Sequence, residues 1–305
     1  RKIVGSVRWV EETGIIYSKE NKMNRKIAIL SDIHGNFNAL KAVISDAEKQ
    51  GVHEYWLLGD ILLPGPGSKD LLELLYQLPI TVKIKGNWDD CFLEVLDASN
   101  IDDATDIYLA RLSQYLCETL SKDDIEFLRN MPTRVKNTIN GVNFSLTHNQ
   151  IEKNWGGALI PSSEQINFDH LFDKDTDVAI YGHVHHQMMR YDTNDRIIIN
   201  PGTVGQPFSL WNKFRADNRA QYAILEVDDS GKLDVNFKKV TYDTLCEIEL
   251  AQQKSLPYFE LYKELIETGI NHTHDIELLQ SINQKNNYEN DVKHFLEQLK
   301  ISKSL

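Results

Sequence analysis

Residues 26–51 read "KIAILSDIHGNFNALKAVISDAEKQG" and divide into three parts by residue type alone. "KIAIL" (26–30) is a short apolar run, the pattern of a strand buried on both faces. "SDIHGN" is a polar stretch with Gly35 inside it, which reads as a sharp turn. Beyond it Phe37, Leu40, Val43, Ile44 and Ala47 recur at helical spacing, and Gly51 ends the pattern. Strand, turn and helix in this order open a layered α/β arrangement.

The pattern repeats outward from there. "YWLLGD" (55–60) predicts a second strand, "SKDLLELLYQL" a helix and "ITVKIKGN" (80–87) a third strand, so a parallel sheet is expected. Residues 91–131 predict helices with no strand between them, an insertion. "TRVKNTINGVNFSLTHN" reads as two strands around a tight "NG" turn. "DVAIYGH", "RIIINPGTVG" and the hairpin "AQYAILEVDDSGKLDVNFKKV" continue as strands. From about residue 241 the pattern becomes helical and rich in Glu, Gln and Asn. Its amphipathic stretches ("YFELYKELI", "VKHFLEQLKI") are expected to pack on the domain or on a second subunit, which leaves a homodimer open. The expected organisation is an N-terminal extension at 1–22, a domain at 23–240 containing the insertion 91–131, and a helical extension at 241–305.

The chain has 305 residues and a net charge of -12, so it repels nucleic-acid backbone unless a local patch or bound metal reverses the field. Its three cysteines, Cys91, Cys117 and Cys246, are scattered and lack a CxxC partner, which fits reduced thiols and a cytoplasmic setting. No apolar run approaches the roughly 20 residues that span a bilayer.

Each expected strand ends in a residue able to bind metal: Asp32 and His34, Asp60, Asn87, His148, then His183 and His185. In open α/β sheets sites gather beyond the carboxyl ends of strands. Residues i and i+2 of an extended chain point the same way, so Asp32/His34 and His183/His185 can each offer two side chains to one cleft. Gly35, Gly59, Gly86 and Gly182 beside them let the backbone turn. Two carboxylates, one amide and four imidazoles suit Mn, Fe, Zn or Ni better than Ca or Mg. Seven donors exceed what one ion needs and match two ions sharing a carboxylate, a pair able to clamp a phosphoryl transfer.

The ordered set "DIH", "GD", "GN", "TH" and "GHVH" resembles the calcineurin-like metallophosphoesterase family, and "NPGTVGQP" (200–207) resembles the segment that follows GHxH in small bacterial members. The resemblance covers about residues 25–240 and implies a four-layer αββα sandwich. It further implies that Asp32, His34 and His185 hold one metal and Asn87, His148 and His183 a second. Asp60 bridges them, as does a water or hydroxide that is the expected nucleophile. Asp60, Asn87 and His148 are the expected catalytic residues, and Mn and/or Fe the expected metals, with Zn or Ni as alternatives. A narrower similarity, carried by "YWLLGDIL", "QLPIT", "GNW", "KNWG", "RAQY" and "LPYFE", is to streptococcal-type phosphodiesterases that cleave diadenosine tetraphosphate asymmetrically.

Many members of the family have His after the "GN" Asn, where it can protonate the leaving oxygen. Here Trp88 stands there, and an indole N–H cannot serve as a general acid. Anhydrides and activated aryl diesters are therefore expected over alkyl monoesters. Asn36, Trp88, Lys153 and His186 are candidate substrate contacts, although Asn36 also reads as a helix N-cap and the others as packing or surface residues. His53, His170, His272, His274 and His294 read as surface or capped histidines. Three function classes follow: a dinuclear phosphodiesterase acting on a nucleotide or dinucleoside polyphosphate (or a generic or cyclic-nucleotide one), a nuclease, and a non-catalytic scaffold. Acidity and the lack of basic runs disfavour the nuclease. A scaffold is expected to have lost ligands, and none is missing.

Overall fold

The computed structural model describes residues 24–97, 101 and 103–303. The expected extension 1–22 and part of the acidic run 97–106 lie outside the described residues. The first half of the chain runs β1 (Arg25–Leu30), α1 (Phe37–Lys49), β2 (Glu54–Leu57), α2 (Lys69–Tyr76), β3 (Ile80–Lys83), α3 (Asn87–Leu96), α4 (Ala104–Cys117), α5 (Lys122–Arg129), β4 (Arg134–Ile139) and β5 (Val142–Thr147). It continues through α6 (Gln165–Asp169), β6 (Val178–Tyr181), β7 (Gln187–Tyr191), β8 (Ile197–Pro201), α7 (Asn212–Arg215), β9 (Ala220–Val227) and β10 (Leu233–Val240). Four helices follow: α8 (Thr244–Gln253), α9 (Phe259–Thr268), α10 (Ile276–Lys285) and α11 (Tyr288–Lys303).

The strands form two five-stranded mixed sheets, in the orders β10-β9-β1-β2-β3 and β4-β5-β6-β8-β7. Period-2 alternation explains how they stack. Ile27 and Ile29 of β1 join Trp56, Phe144, Leu146, Val178, Ile180, Ala223 and Leu225 in the apolar layer between the sheets. Ala28 and Leu30 face the other way, into the cluster with Leu40, Val43, Leu71 and Leu72 of α1 and α2. The outer face of the second sheet is covered more thinly, by Leu159 and by Phe168 of α6 over Ala179 and Tyr181. The result is four layers, helix–sheet–sheet–helix, with β1 and β6 buried on both faces.

Strand β7 carries no clean alternation in the sequence and was not among the expected strands; it forms an edge antiparallel to β8, with Met189 and Tyr191 partly exposed. The C-terminal helices pack on their own chain. Asn38 of α1 donates through its backbone N–H (2.9 Å) and its amide (2.8 Å) to the buried Glu247 of α8, and Tyr262 of α9 donates to the same carboxylate (2.9 Å). Asn283 of α10 reaches the carbonyl of Ala104 at the start of α4 (3.1 Å). The insertion and the tail thus meet beside the end of the sandwich where α1 begins.

Phe144 is 1 % exposed and meets Trp56 edge to face at 5.3 Å between the sheets. Replacing it with Ala should destabilise the fold by about 3–5 kcal/mol, read as a lower urea midpoint at unchanged slope.

Candidate metal centre

Past β1 the chain does not stay extended. Asp32, His34, Asp60, His183 and His185 all have left-handed backbone, with φ of 55°, 51°, 54°, 65° and 54°. This corrects the expectation that i and i+2 residues converge through extended chain: two left-handed residues per turn bring them together. The turn is held by its parallel neighbour, with Asp32 N–H donating to Gly59 (3.0 Å), His34 N–H to Asp60 (2.9 Å) and Gly35 N–H to Ile61 (2.9 Å). Non-glycine residues in this region are strained and persist only where the surroundings over-determine them.

The glycines serve two needs. Gly35 and Gly59 have φ of 70° and 90°, as a turn requires. Gly86 and Gly182 instead give room: a Cβ on Gly86 would lie 2.1 Å from Asp60 Oδ1, and one on Gly182 would lie 2.0 Å from Ser31 Oγ.

All seven expected metal ligands meet at the carboxyl ends of the strands. Asp32, His34 and His185 offer donor atoms within 4.8 Å of one another, as do Asp60, His148 and His183. His185 Nε2 lies 3.0 Å from Asp32 Oδ1 and 3.1 Å from His34 Nε2. Asn87 Oδ1 is 3.0 Å from His148 Nε2. Asp60 Oδ2 stands between the sets, 3.7 Å from His34 Nε2 and 3.3 Å from His148 Nε2. Donors on one ion at about 2.1 Å and at right or tetrahedral angles sit about 3.0–3.4 Å apart, so these spacings fit coordination edges.

The protonation pattern fits as well. Nδ1 of His34 bonds the carbonyl of Leu63 (2.6 Å), that of His148 the carbonyl of Leu58 (2.6 Å) and that of His185 the carbonyl of Gln206 (2.7 Å). A carbonyl only accepts, so each Nδ1 carries a proton and each Nε2 faces the centre, bare whenever its ring is neutral. Bare nitrogens converging on carboxylates repel unless a proton or a cation lies between them.

The electrostatics follow. Burial opposes charge on Asp32, but His185, His148 and His34 outweigh it and hold the carboxyl far below the usual range. Burial lowers His148 too, yet Asp60 and Asp32 lift it to about 10. Burial, then His148, pushes His183 down to about 4.

Several supporting residues were not legible in the sequence. Asp89, buried in the first turn of α3, accepts from the N–H groups of Asp60 (2.8 Å), Ile61 (3.0 Å) and Gly86 (2.9 Å). Burial, then the Asp60 charge, raises it to about 7. Its signal was available as an acidic third helical residue after Gly86, whose carboxylate reaches back to the N-cap N–H. Thr203 Oγ1 donates to the carbonyl of Asp32 (2.8 Å), and Gly205 N–H donates to the same carbonyl (3.0 Å), bracing the first turn from the 200–206 segment.

The four candidate substrate residues divide. Asn36 is fully buried: it caps α1 by accepting from Ala39 N–H (3.0 Å) and donates to Gly205 (3.1 Å) and to Tyr242 (3.0 Å). Its side chain serves the fold, which removes it from the substrate set. Trp88 lies edge-on to His34 at 5.7 Å, and its backbone N–H donates to Asp60 Oδ1 (2.8 Å). His186 packs against Phe208 at 5.0 Å. Lys153 lies over the ring of Trp155, 3.3 Å from its centroid.

Among known sequences, the family model for the calcineurin-like phosphoesterase superfamily domain matches residues 25–230. An uncharacterized protein of Methanocaldococcus jannaschii is 28 % identical over 249 residues, 76 % of this chain and 93 % of the relative. Among solved structures, a metallophosphoesterase from Sphaerobacter thermophilus is 27 % identical with a TM-score of 0.62, covering 80 % of this chain and 100 % of its own. A hypothetical protein from Pyrococcus horikoshii shares the fold with a TM-score of 0.65 at 20 % identity, covering 81 % of this chain and 99 % of its own.

Two outcomes are expected. The Gly182→Ala methyl would strike Ser31 and stand 3.0 Å from Asp32 Oδ2, so bound manganese should fall from about two ions per chain to about one or fewer, measured by elemental analysis after dialysis. With His148 lifted to about 10, loading near pH 8 has to displace its proton, and above about pH 10 it does not; calorimetry in buffers of differing ionisation enthalpy reads that release.

Proposed function

The chain belongs to the calcineurin-like phosphoesterase superfamily, whose members are metal-dependent phosphoesterases, and from that premise we propose that it is a dinuclear phosphodiesterase cleaving diadenosine tetraphosphate asymmetrically to ATP and AMP. The observation that carries the phosphodiesterase reading is the convergence of carbonyl-pinned imidazoles and carboxylates at the carboxyl ends of several strands. In this reading residues 23–240 form the catalytic domain, with 91–131 as insertion and 241–305 as helical extension. Asp32, His34 and His185 hold one cation, Asn87, His148 and His183 the other, and Asp60 both.

Bound there, manganese or iron (or zinc or nickel) would supply an activated water as nucleophile and positive charge for the phosphoryl oxygens. The chain's own groups set the rest. The Trp88 N–H fixes one oxygen of Asp60 and leaves the other for the cations. Leu58, Leu63 and Gln206 carbonyls hold three rings in the donor tautomer, so no reorientation accompanies binding.

Leaving-group chemistry selects the substrate. Trp88 stands beside the centre where a general acid would act, and its indole cannot release a proton. A missing general acid costs about 10²–10⁴-fold, and the cost falls on poor leaving groups. A nucleotide expelled from an anhydride leaves as a stable anion; an alkoxide does not. This supports an anhydride such as diadenosine tetraphosphate, in line with the narrower similarity. The unpaired Cys91, Cys117 and Cys246 support a cytoplasmic setting. Among the described residues no helix is long and apolar enough to cross a membrane.

With manganese the protein should hydrolyse bis-p-nitrophenyl phosphate, and diadenosine tetraphosphate should give ATP plus AMP in equal amounts by chromatography. Intact dinucleotide beside turned-over aryl diester would reduce the reading to a generic diesterase. Across aryl diesters kcat/KM should fall steeply with rising leaving-group pKa, whereas a flat profile would overturn the role given to Trp88. His148→Ala should lower kcat by at least about 10²-fold.

A further inference from the structure

His185 belongs to the metal set and also forms part of the wall of a cleft of about 570 Å³. Other lining residues come from the 206–215 segment and from the turn between α9 and α10: Gln206, Phe208, Leu210, Arg215 and Ile270. We propose that this cleft is the subsite for a nucleobase carried on the substrate's phosphate chain; the inference rests on the phosphodiesterase reading and names what that site recognises beyond phosphate.

Position comes first. A phosphate on the cation that Asp32, His34 and His185 would hold has its substituent within reach of the cleft, because His185 also lines it. Size is suitable, since small-molecule sites run about 300–1,000 Å³. The lining is mainly apolar, with Phe208 38 % and Leu210 86 % exposed. Apolar surface left open beside a phosphate site is unfavourable until a flat apolar group covers it, and every base has a π-face that an aromatic ring can stack on.

Polar groups on the same wall suit a heterocycle rather than a hydrocarbon. The amide nitrogen of Gln206 is buried without a hydrogen-bond partner, and the residue is 4 % exposed. A buried donor left unpaired costs free energy, and turning this amide toward the cleft would let an acceptor atom on a ring recover it. The main chain of Gln206 meanwhile holds the His185 ring (2.7 Å), so base recognition and metal ligation share one residue. A neighbouring cleft of about 470 Å³ that also borders Phe208 is more polar, with His186, Asp217 and Lys239 in its walls. It suits a base less well.

The test compares AMP with inorganic phosphate as ligands of the manganese-loaded protein, by calorimetry. AMP should bind at least about tenfold more tightly than phosphate, the stacking increment expected for one base. Phe208→Ala and, separately, Ile270→Asp should bring the ratio of the two affinities close to one, each variant being its own reference through phosphate. A ratio near one in the parent, or an undiminished ratio in both variants, overturns the subsite. An adenosine-tethered ligand that binds while bis-p-nitrophenyl phosphate is not hydrolysed would overturn the catalytic reading and leave the subsite standing. Self-association that vanishes in both variants, with no AMP preference in the parent, would assign the apolar wall to a second copy of the chain and refute the proposal.

Discussion

Two buried carboxylates and a ring of imidazole nitrogens, all turned toward one small volume, repel one another unless positive charge sits among them. The rest of the architecture exists to hold that arrangement against its own repulsion. Five of its members, Asp32, His34, Asp60, His183 and His185, occupy left-handed backbone. Each such residue costs on the order of 1–3 kcal/mol, and a loose fold would relax it. The two-sheet core, with Trp56, Phe144 and Ile180 buried between the layers, supplies the rigidity that prevents relaxation.

Rigidity at the strand ends has a further layer of support. Asp89 gathers the N–H groups of Asp60, Ile61 and Gly86, so the bridging carboxylate and the turn bearing Asn87 answer to one buried acid. The 200–206 segment performs the same service for Asp32 and for the His185 ring. Glu247 ties α8 and α9 to α1, which starts directly after the Asp32–His34 turn, so the helical tail is joined to the frame of the site.

The layered fold was legible because strands buried on both faces, such as "KIAIL" and "DVAIY", carry an unambiguous apolar signal. The ligand set was legible because metal-binding side chains cannot be disguised: Asp and His at successive strand ends have few competing explanations. Strand β7 escaped because an edge strand needs no alternation when one of its faces is half open. Asp89 escaped because a carboxylate that serves backbone N–H groups looks, in sequence, like any acid near a helix start. Asn36 could be read either way beside "DIHG", as a helix N-cap or a substrate contact; the cap holds, and with the 205 and 242 contacts it uses every polar atom the side chain has. The mechanism by which i and i+2 ligands converge was also invisible, since left-handed dihedrals leave no mark when the residues involved are not glycine.

The carbonyl-pinned rings have a consequence for selectivity. A pocket whose donors are already oriented has little freedom to expand or contract around ions of different radius, and a mixture of imidazole and carboxylate is welcome to most first-row divalent metals. Such a pocket would exclude ions of ill-fitting radius, and among those that fit the Irving–Williams order would set relative affinity. Which element occupies it is then decided by the free concentrations the surroundings maintain, so the same polypeptide isolated from differently supplied growth media would carry different ions.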